Sequence, residues 1–157
     1  MTAIPKGLVV LLVDDDQQDT FIIKSALTSL EPSIHVIGLP EVEEAIAYLS
    51  GENPYADRKT YPWPDVLLVD HWMPKMSGLD LLTWMSTDRR LAAMPVVLVS
   101  GGLPPAQKQV AEGLGAVFCD KGLGTDDFAN ELVEALARAV AQPRHTSAHH
   151  NKAPKSS

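Results

Sequence analysis

Five stretches of nearly continuous apolar residues punctuate the chain: Leu8 to Val13, Ile34 to Leu39, Asp65-Val-Leu-Leu-Val-Asp70, Val96 to Val99 and Ala116 to Asp120. They are short, rich in Val, Ile and Leu, and bounded by Pro, Gly or Asp, which predicts strands buried on both faces. Between them apolar residues recur three or four apart. Phe21, Ile22, Ala26, Leu27 and Leu30 predict a helix that Pro32 stops, and Val42, Ala45, Ile46 and Leu49 predict a second closing at Gly51. Leu79, Leu82 and Met85 mark a third after Gly78; Gln107 to Leu114 makes a fourth, with Val110, Ala111 and Leu114 inward. Phe128, Leu132, Ala135, Leu136 and Ala139 form the last, closed before Pro143. Five strands alternating with five helices, joined by right-handed crossovers, predict a doubly wound five-stranded parallel α/β sheet. The stretch from Gly51 to Pro64, rich in Asn, Pro, Tyr, Asp, Arg and Lys, reads as a long exposed loop suited to recognition.

Charge divides the chain in a way that hydropathy does not. The formal net charge is -7, but residues up to 141 hold 10 basic against 20 acidic side chains, or -10, while residues 142–157 carry Arg144, Lys152 and Lys155 and no acid. An acidic body argues against nucleic acid as a partner. The basic tail has no apolar face and is expected to be disordered, and its His145, His149 and His150 are expected to be solvated. The expected organisation is an N-terminal extension over 1–6, one domain over 7–141 and the tail over 142–157. No apolar run approaches the roughly 18 to 20 residues of a membrane span, and no charged-then-apolar leader opens the chain, so a cytoplasmic, soluble protein is expected. The single Cys119 leaves no internal disulfide or cysteine metal cluster.

The candidate chemistry lies where the strands end. Asp14 and Asp15 leave the first, Asp70 the third, Ser100 the fourth and Lys121 the fifth, each at the carboxyl end, where an open parallel sheet gathers its ligands. Alone, each has a plain reading: Asp15 or Asp16 as a helix cap, Ser100 as a loop hydrogen bond, Lys121 as a solvated charge. Together they place three carboxylates on one rim. Two like charges about 4 Å apart repel by roughly 4 kcal/mol at an effective dielectric near 20, so a cation is required among them. Hard oxygen ligands that leave room for water and phosphate suit Mg²⁺.

At Val13-Asp14-Asp15-Asp16, at Asp70 followed by Met73-Pro74-Lys75-Met76-Ser77-Gly78, at Val99-Ser100-Gly101 and at Asp120-Lys121, the chain resembles the receiver domain of two-component response regulators, from about Gly7 to Ala141. The resemblance implies a flavodoxin-like receiver fold and a phosphoacceptor rather than an enzyme. It implies that Asp70 takes a phosphoryl group from a sensor histidine kinase, and that Asp14, Asp15 and Asp70, with the backbone carbonyl of Trp72, hold Mg²⁺. It further implies that Lys121 and Ser100 contact the phosphoryl oxygens, and that Ser100 and Phe118 form the switch that alters docking.

The chain also departs from that family. Gly122 stands where a cis-proline usually follows the lysine, so a cis bond is not expected there. His71 and Trp72 are unusual after the acceptor, and Trp72 reads either as a packed or partner-contacting side chain or as a shield that keeps water from a phosphoryl group. The long loop, the missing proline and the lack of an output domain resemble stand-alone regulators serving phytochrome-type kinases. Homodimerisation through the fourth helix, fifth strand and fifth helix would follow that likeness. Three rivals stand beside it. A Mg²⁺-dependent aspartyl-phosphate hydrolase fits Asp14 and Asp16 but finds Gln18 where it needs Thr; a flavin carrier would need a phosphate-cradling loop where this one is acidic; a degenerate receiver would dock without phosphorylation.

Overall fold

The computed structural model describes residues 4–122 and 124–142. Residues 1–3 of the expected extension, and the tail beyond Gln142 with its three histidines, lie outside the described residues. The elements run β1 (Val9–Val13), α1 (Gln17–Leu30), β2 (His35–Leu39), α2 (Val42–Ser50), β3 (Val66–Asp70), α3 (Gly78–Met85), α4 (Arg89–Ala92), β4 (Val96–Ser100), α5 (Pro105–Gly113), β5 (Val117–Asp120) and α6 (Thr125–Ala141). The five strands pair in parallel in the order β2-β1-β3-β4-β5. This is the doubly wound sheet that the hydropathy pattern predicts, in which order reverses beside β1 and opens a crevice.

Side-chain alternation along the strands supplies two cores. Leu11, Val13, Leu67, Val69 and Leu98 face a layer built by Tyr48 and Leu49 of α2, Leu81, Leu82 and Met85 of α3, Leu91 of α4 and Ala111 of α5. Val10, Leu12, Leu68, Val97 and Cys119 face the other layer, Ile23 and Leu27 of α1 with Phe128, Leu132 and Leu136 of α6. Both faces of β3 and β4 are buried throughout, which fixes the register because a one-residue slip would exchange the two faces.

Helix ends follow local chemistry. Asp16 caps α1, its carboxylate accepting from the Gln18 and Asp19 N–H groups, and Gly51 closes α2 at φ 74°. Ser77 and Asp80 form a reciprocal capping box on α3. Gly78 is demanded by packing: a Cβ there would stand 2.8 Å from the Asp70 carbonyl oxygen and 2.8 Å from Leu98 Cδ1. That close approach seats α3 directly beneath the end of β3.

The structure corrects several sequence expectations. A sixth helix, α4, adds one turn held by Asp88, whose carboxylate accepts from Arg90 N and Leu91 N; four residues are too few to reveal a period. On α1 the inward positions are Ile23 and Leu27, whereas Phe21 is 71% exposed and Leu30 50%. Val110 of α5 is exposed and Leu114 half-buried, leaving Ala111 as the inward residue. On α3, Leu81 is buried and Leu79 only half-buried.

The loop after α2 is packed rather than loose. Tyr55, Tyr61 and Trp63 lie against the first core, and Tyr48 Oη donates to the Pro62 carbonyl at 2.7 Å. Arg58 donates to the carbonyls of Tyr48 (2.8 Å) and Tyr61 (3.3 Å) and lies over the rings of Tyr48 and Trp63. Arg90 covers Trp63 at 4.2 Å from its ring centre. This strap lies before β3, at the amino-terminal edge of the sheet and away from the rim that carries the acids.

The two readings of α1 predict opposite outcomes in denaturant. Ile23→Ala should cost about 2–5 kcal/mol by leaving a cavity, and Phe21→Ala should change stability by no more than about 0.5 kcal/mol. Chemical denaturation of the two variants measures both, and a larger loss for Phe21→Ala would refute the observed face.

Candidate functional site

Pairing of β1 with β3 sets Val13 opposite Val69. The next residues, Asp14 and Asp70, therefore emerge side by side from adjacent strands. Asp15 follows in the same turn, and one oxygen from each of the three carboxylates lies within 4.8 Å of the others. Asp14 and Asp70 are buried and Asp15 is exposed. All three sit together as the sequence predicts.

Lys121, immediately after β5, reaches into this cluster. Its Nζ lies 3.1 Å from Asp14 Oδ2, 3.3 Å from Asp70 Oδ2 and 2.7 Å from Asp19 Oδ2. Asp19 is the residue that sequence reasoning missed. It lies in the first turn of α1, and the available signal was its spacing of one helical turn beyond the acid pair. Asp16, by contrast, faces its own helix as a cap. That orientation removes the second acid on which the hydrolase reading relied.

Backbone groups hold the carboxylates in place. Asp14 Oδ1 accepts from Asp16 N at 2.9 Å, and Asp70 Oδ1 accepts from Trp72 N at 3.3 Å. Ser100, at the end of β4, is fully buried, and its Oγ has no hydrogen-bond partner among the described residues. A buried hydroxyl without a partner is costly, and an acceptor brought within its reach would offset that cost. Trp72 is half-exposed and its Nε1 donates to the Gly101 carbonyl at 3.0 Å, joining the loops after β3 and β4. A Cβ on Gly101 would meet nothing closer than 3.9 Å and one on Gly102 nothing within 4 Å, so the approach beside Ser100 is open.

His71 is buried with its ring edge against Trp72 at 4.6 Å, and burial holds its imidazole below the usual range. Phe118 is half-buried on β5, with Lys108 Nζ 4.8 Å from its ring centre. Gly122 N donates to Asp120 Oδ1 at 2.8 Å, closing a turn where the family has proline. Among the described residues the cis peptide is Asn53–Pro54, not Lys121–Gly122. Cys119 is buried in the second core, where burial pushes its thiol up to about 12. It has no part in the cluster.

Electrostatics follow from crowding. Burial raises Asp14 from 3.8 to about 6, against the pull of the Asp16 N–H and the Lys121 charge, and neighbouring Asp70 adds to the rise. Burial likewise raises Asp70, while Lys121 and the Trp72 N–H oppose it. For Lys121 burial acts downward but is outweighed by the Asp19 hydrogen bond and the Asp14 and Asp70 charges, so its proton is held more tightly than usual. The cluster thus holds four carboxylates, Asp14, Asp15, Asp19 and Asp70, and one ammonium, which pairs with three of them. The surplus negative charge, presented by hard oxygen donors, fits a divalent cation such as Mg²⁺ held by Asp14, Asp15 and Asp70.

The raised carboxyl values fix how stability without metal depends on pH. Asp14 binds its proton more tightly folded than unfolded, so its contribution is fully present below about 3.8 and lost as pH rises through about 6. The metal-free melting temperature is expected to rise as pH falls from neutral to about 5, and Asp14→Asn to stabilise the metal-free protein at neutral pH by on the order of 1–2 kcal/mol. Saturating Mg²⁺ should flatten the dependence. Calorimetry checks each arm, and a metal-free midpoint that drops steadily over this window would contradict the assignment.

Comparison with known proteins agrees with this geometry. The model of the response regulator receiver domain matches residues 10–136. Protein-glutamate methylesterase/protein-glutamine glutaminase 1 of Dechloromonas aromatica is 33% identical over 141 residues, covering 84% of this chain and 36% of that protein. The chain thus spans about a third of the length of the methylesterases it matches, and their esterase activity is theirs. The two-component response regulator ORR13 of Oryza sativa subsp. japonica is 30% identical over 91 residues, 58% of this chain and 66% of that one. Among solved structures, the phosphorylated cyanobacterial phytochrome response regulator RcpA shares the fold with a TM-score of 0.75 at 24% identity, covering 87% of this chain and 97% of that one. The bacteriophytochrome response regulator RtBRR gives 0.71 at 25% identity, covering 86% and 78%.

Proposed function

The chain belongs to the response regulator receiver family, and on that premise we propose that it accepts a phosphoryl group on Asp70 from the phosphohistidine of a sensor histidine kinase. The observation that carries this reading is the set of three converging carboxylates with one ammonium and one unpartnered, buried serine hydroxyl. In the transfer the N–P bond of the donor imidazole breaks as a bond forms between phosphorus and an Asp70 carboxylate oxygen. The electron pair of the broken bond stays on the imidazole nitrogen. Little covalent help is needed, so positioning and charge neutralisation supply most of the catalysis.

Asp14, Asp15 and Asp70, with the Trp72 carbonyl as a fourth oxygen donor, would hold Mg²⁺, which when bound supplies positive charge to the acceptor and phosphoryl oxygens. Lys121 is 3.3 Å from Asp70 already and can follow the charge onto a phosphoryl oxygen. Ser100 gains its missing partner by donating to another. The open space at Gly101 and Gly102 admits the donor ring.

Switching follows from that new contact. Ser100 drawn toward the phosphoryl group moves its loop, and Phe118, on the neighbouring strand, fills the space released. The outcome is a changed docking surface rather than a chemical product, and the sensor kinase is of the phytochrome type. The phytochrome assignment draws support from RtBRR and from the packed loop before β3. A homodimer through α5, β5 and α6 is part of the same reading, and cytoplasmic residence accords with the lack of any described helix long and apolar enough to cross a membrane.

Intact-protein mass spectrometry after incubation with acetyl phosphate and Mg²⁺ is expected to register one phosphate per chain, absent in Asp70→Asn and after removal of Mg²⁺. Steady turnover of acetyl phosphate would favour the hydrolase instead, and no adduct would favour phosphorylation-independent docking. Trp72 sits beside the acceptor with its indole tied across to Gly101, and by this position it limits the attack of water on the adduct. Trp72→Ala is expected to shorten the adduct's lifetime several-fold; an unchanged lifetime would dispose of the shielding role.

A further inference from the structure

Lys121 has a third anionic neighbour that phosphoryl acceptance does not require. Its ammonium carries three N–H donors, and three carboxylates surround it, with Asp19 the nearest at 2.7 Å against 3.1 Å for Asp14 and 3.3 Å for Asp70. The N–H directed at Asp70 passes directly to a phosphoryl oxygen as that carboxylate becomes an acyl phosphate, so any second N–H that the phosphoryl group recruits must be taken from Asp14 or Asp19.

The three differ in what displacement costs. The Asp14 side chain is only 1% exposed, so losing the ammonium would leave a buried charge with less compensation. Asp70 gives up its own contact on phosphorylation, so the choice lies between Asp14 and Asp19. Asp19 is 32% exposed in the first turn of α1, where water can replace the ammonium and the positive end of the helix dipole favours a carboxylate. Release therefore falls on Asp19. Resting on the phosphoacceptor reading of Asp70, we propose that Asp19 is a positioning residue that holds Lys121 in the unphosphorylated protein and yields it to the phosphoryl group, setting how readily the acceptor site is filled.

The contact belongs to the resting state, so its removal should favour the phosphorylated one. With Mg²⁺ present, beryllofluoride, a phosphoryl mimic, is expected to bind Asp19→Asn about five-fold more tightly than the wild type, the size of one partly exposed ion pair. Calorimetric titration measures this, and thermal melting and Mg²⁺ titration of both proteins register any merely structural effect of the substitution. Repeating the titrations near 1 M salt separates contact from long-range field, because screening then acts beyond about 3 Å. A ratio that persists in high salt supports the handover. Equal or weaker binding by Asp19→Asn, or a ratio that vanishes in high salt, overturns it while leaving the acceptor role of Asp70 intact. A wild type that binds no beryllofluoride and forms no adduct with acetyl phosphate overturns both.

Discussion

Mutual repulsion among acids that the backbone will not let separate governs this molecule. Val13 pairs with Val69 in a register locked by two apolar faces, and Asp14 and Asp70 are simply the next positions along those strands. The strands cannot slide apart without exposing the cores, and the carboxylates cannot withdraw without leaving the rim. Lys121 meets part of the resulting charge from the far strand, and a divalent cation is the natural remainder. Stability and chemistry are therefore opposed at the carboxyl edge, as is common where binding energy must be held ready.

The backbone arrangement was legible in the sequence because a buried parallel strand writes itself as an uninterrupted apolar run. The acids and Lys121 were legible for the same reason, each following directly on such a run. Asp19 was not, since its place depends on which way the first turn of α1 faces. Phe21 was misassigned to the core because Phe21, Ile22 and Ile23 offer adjacent stripes, and only packing against α6 selects Ile23 and Leu27. Of the three residues expected inward on α5, Ala111 is buried, Val110 is exposed and Leu114 is half-buried.

The loop before β3 is exposed at Glu52, Asn53, Pro54, Ala56, Asp57, Lys59 and Thr60, as its composition implies, while its aromatic residues pack inward. Its polar composition signals exposure, but Arg58 spends its guanidinium on two backbone carbonyls and two aromatic faces, and the tyrosines cluster beneath it. A charged residue that satisfies itself on carbonyls and π faces carries no mark in a hydropathy pattern. Such a segment can look solvated and still be part of the core.

That strap leaves the two edges of the sheet differently built. At one, cohesion comes from ring contacts and from a guanidinium seated on two carbonyls; at the other, carboxylates crowd around a single ammonium. The two edges thus differ in kind: one gathers like charges, and the other lays the charge of Arg58 against neutral carbonyls and rings.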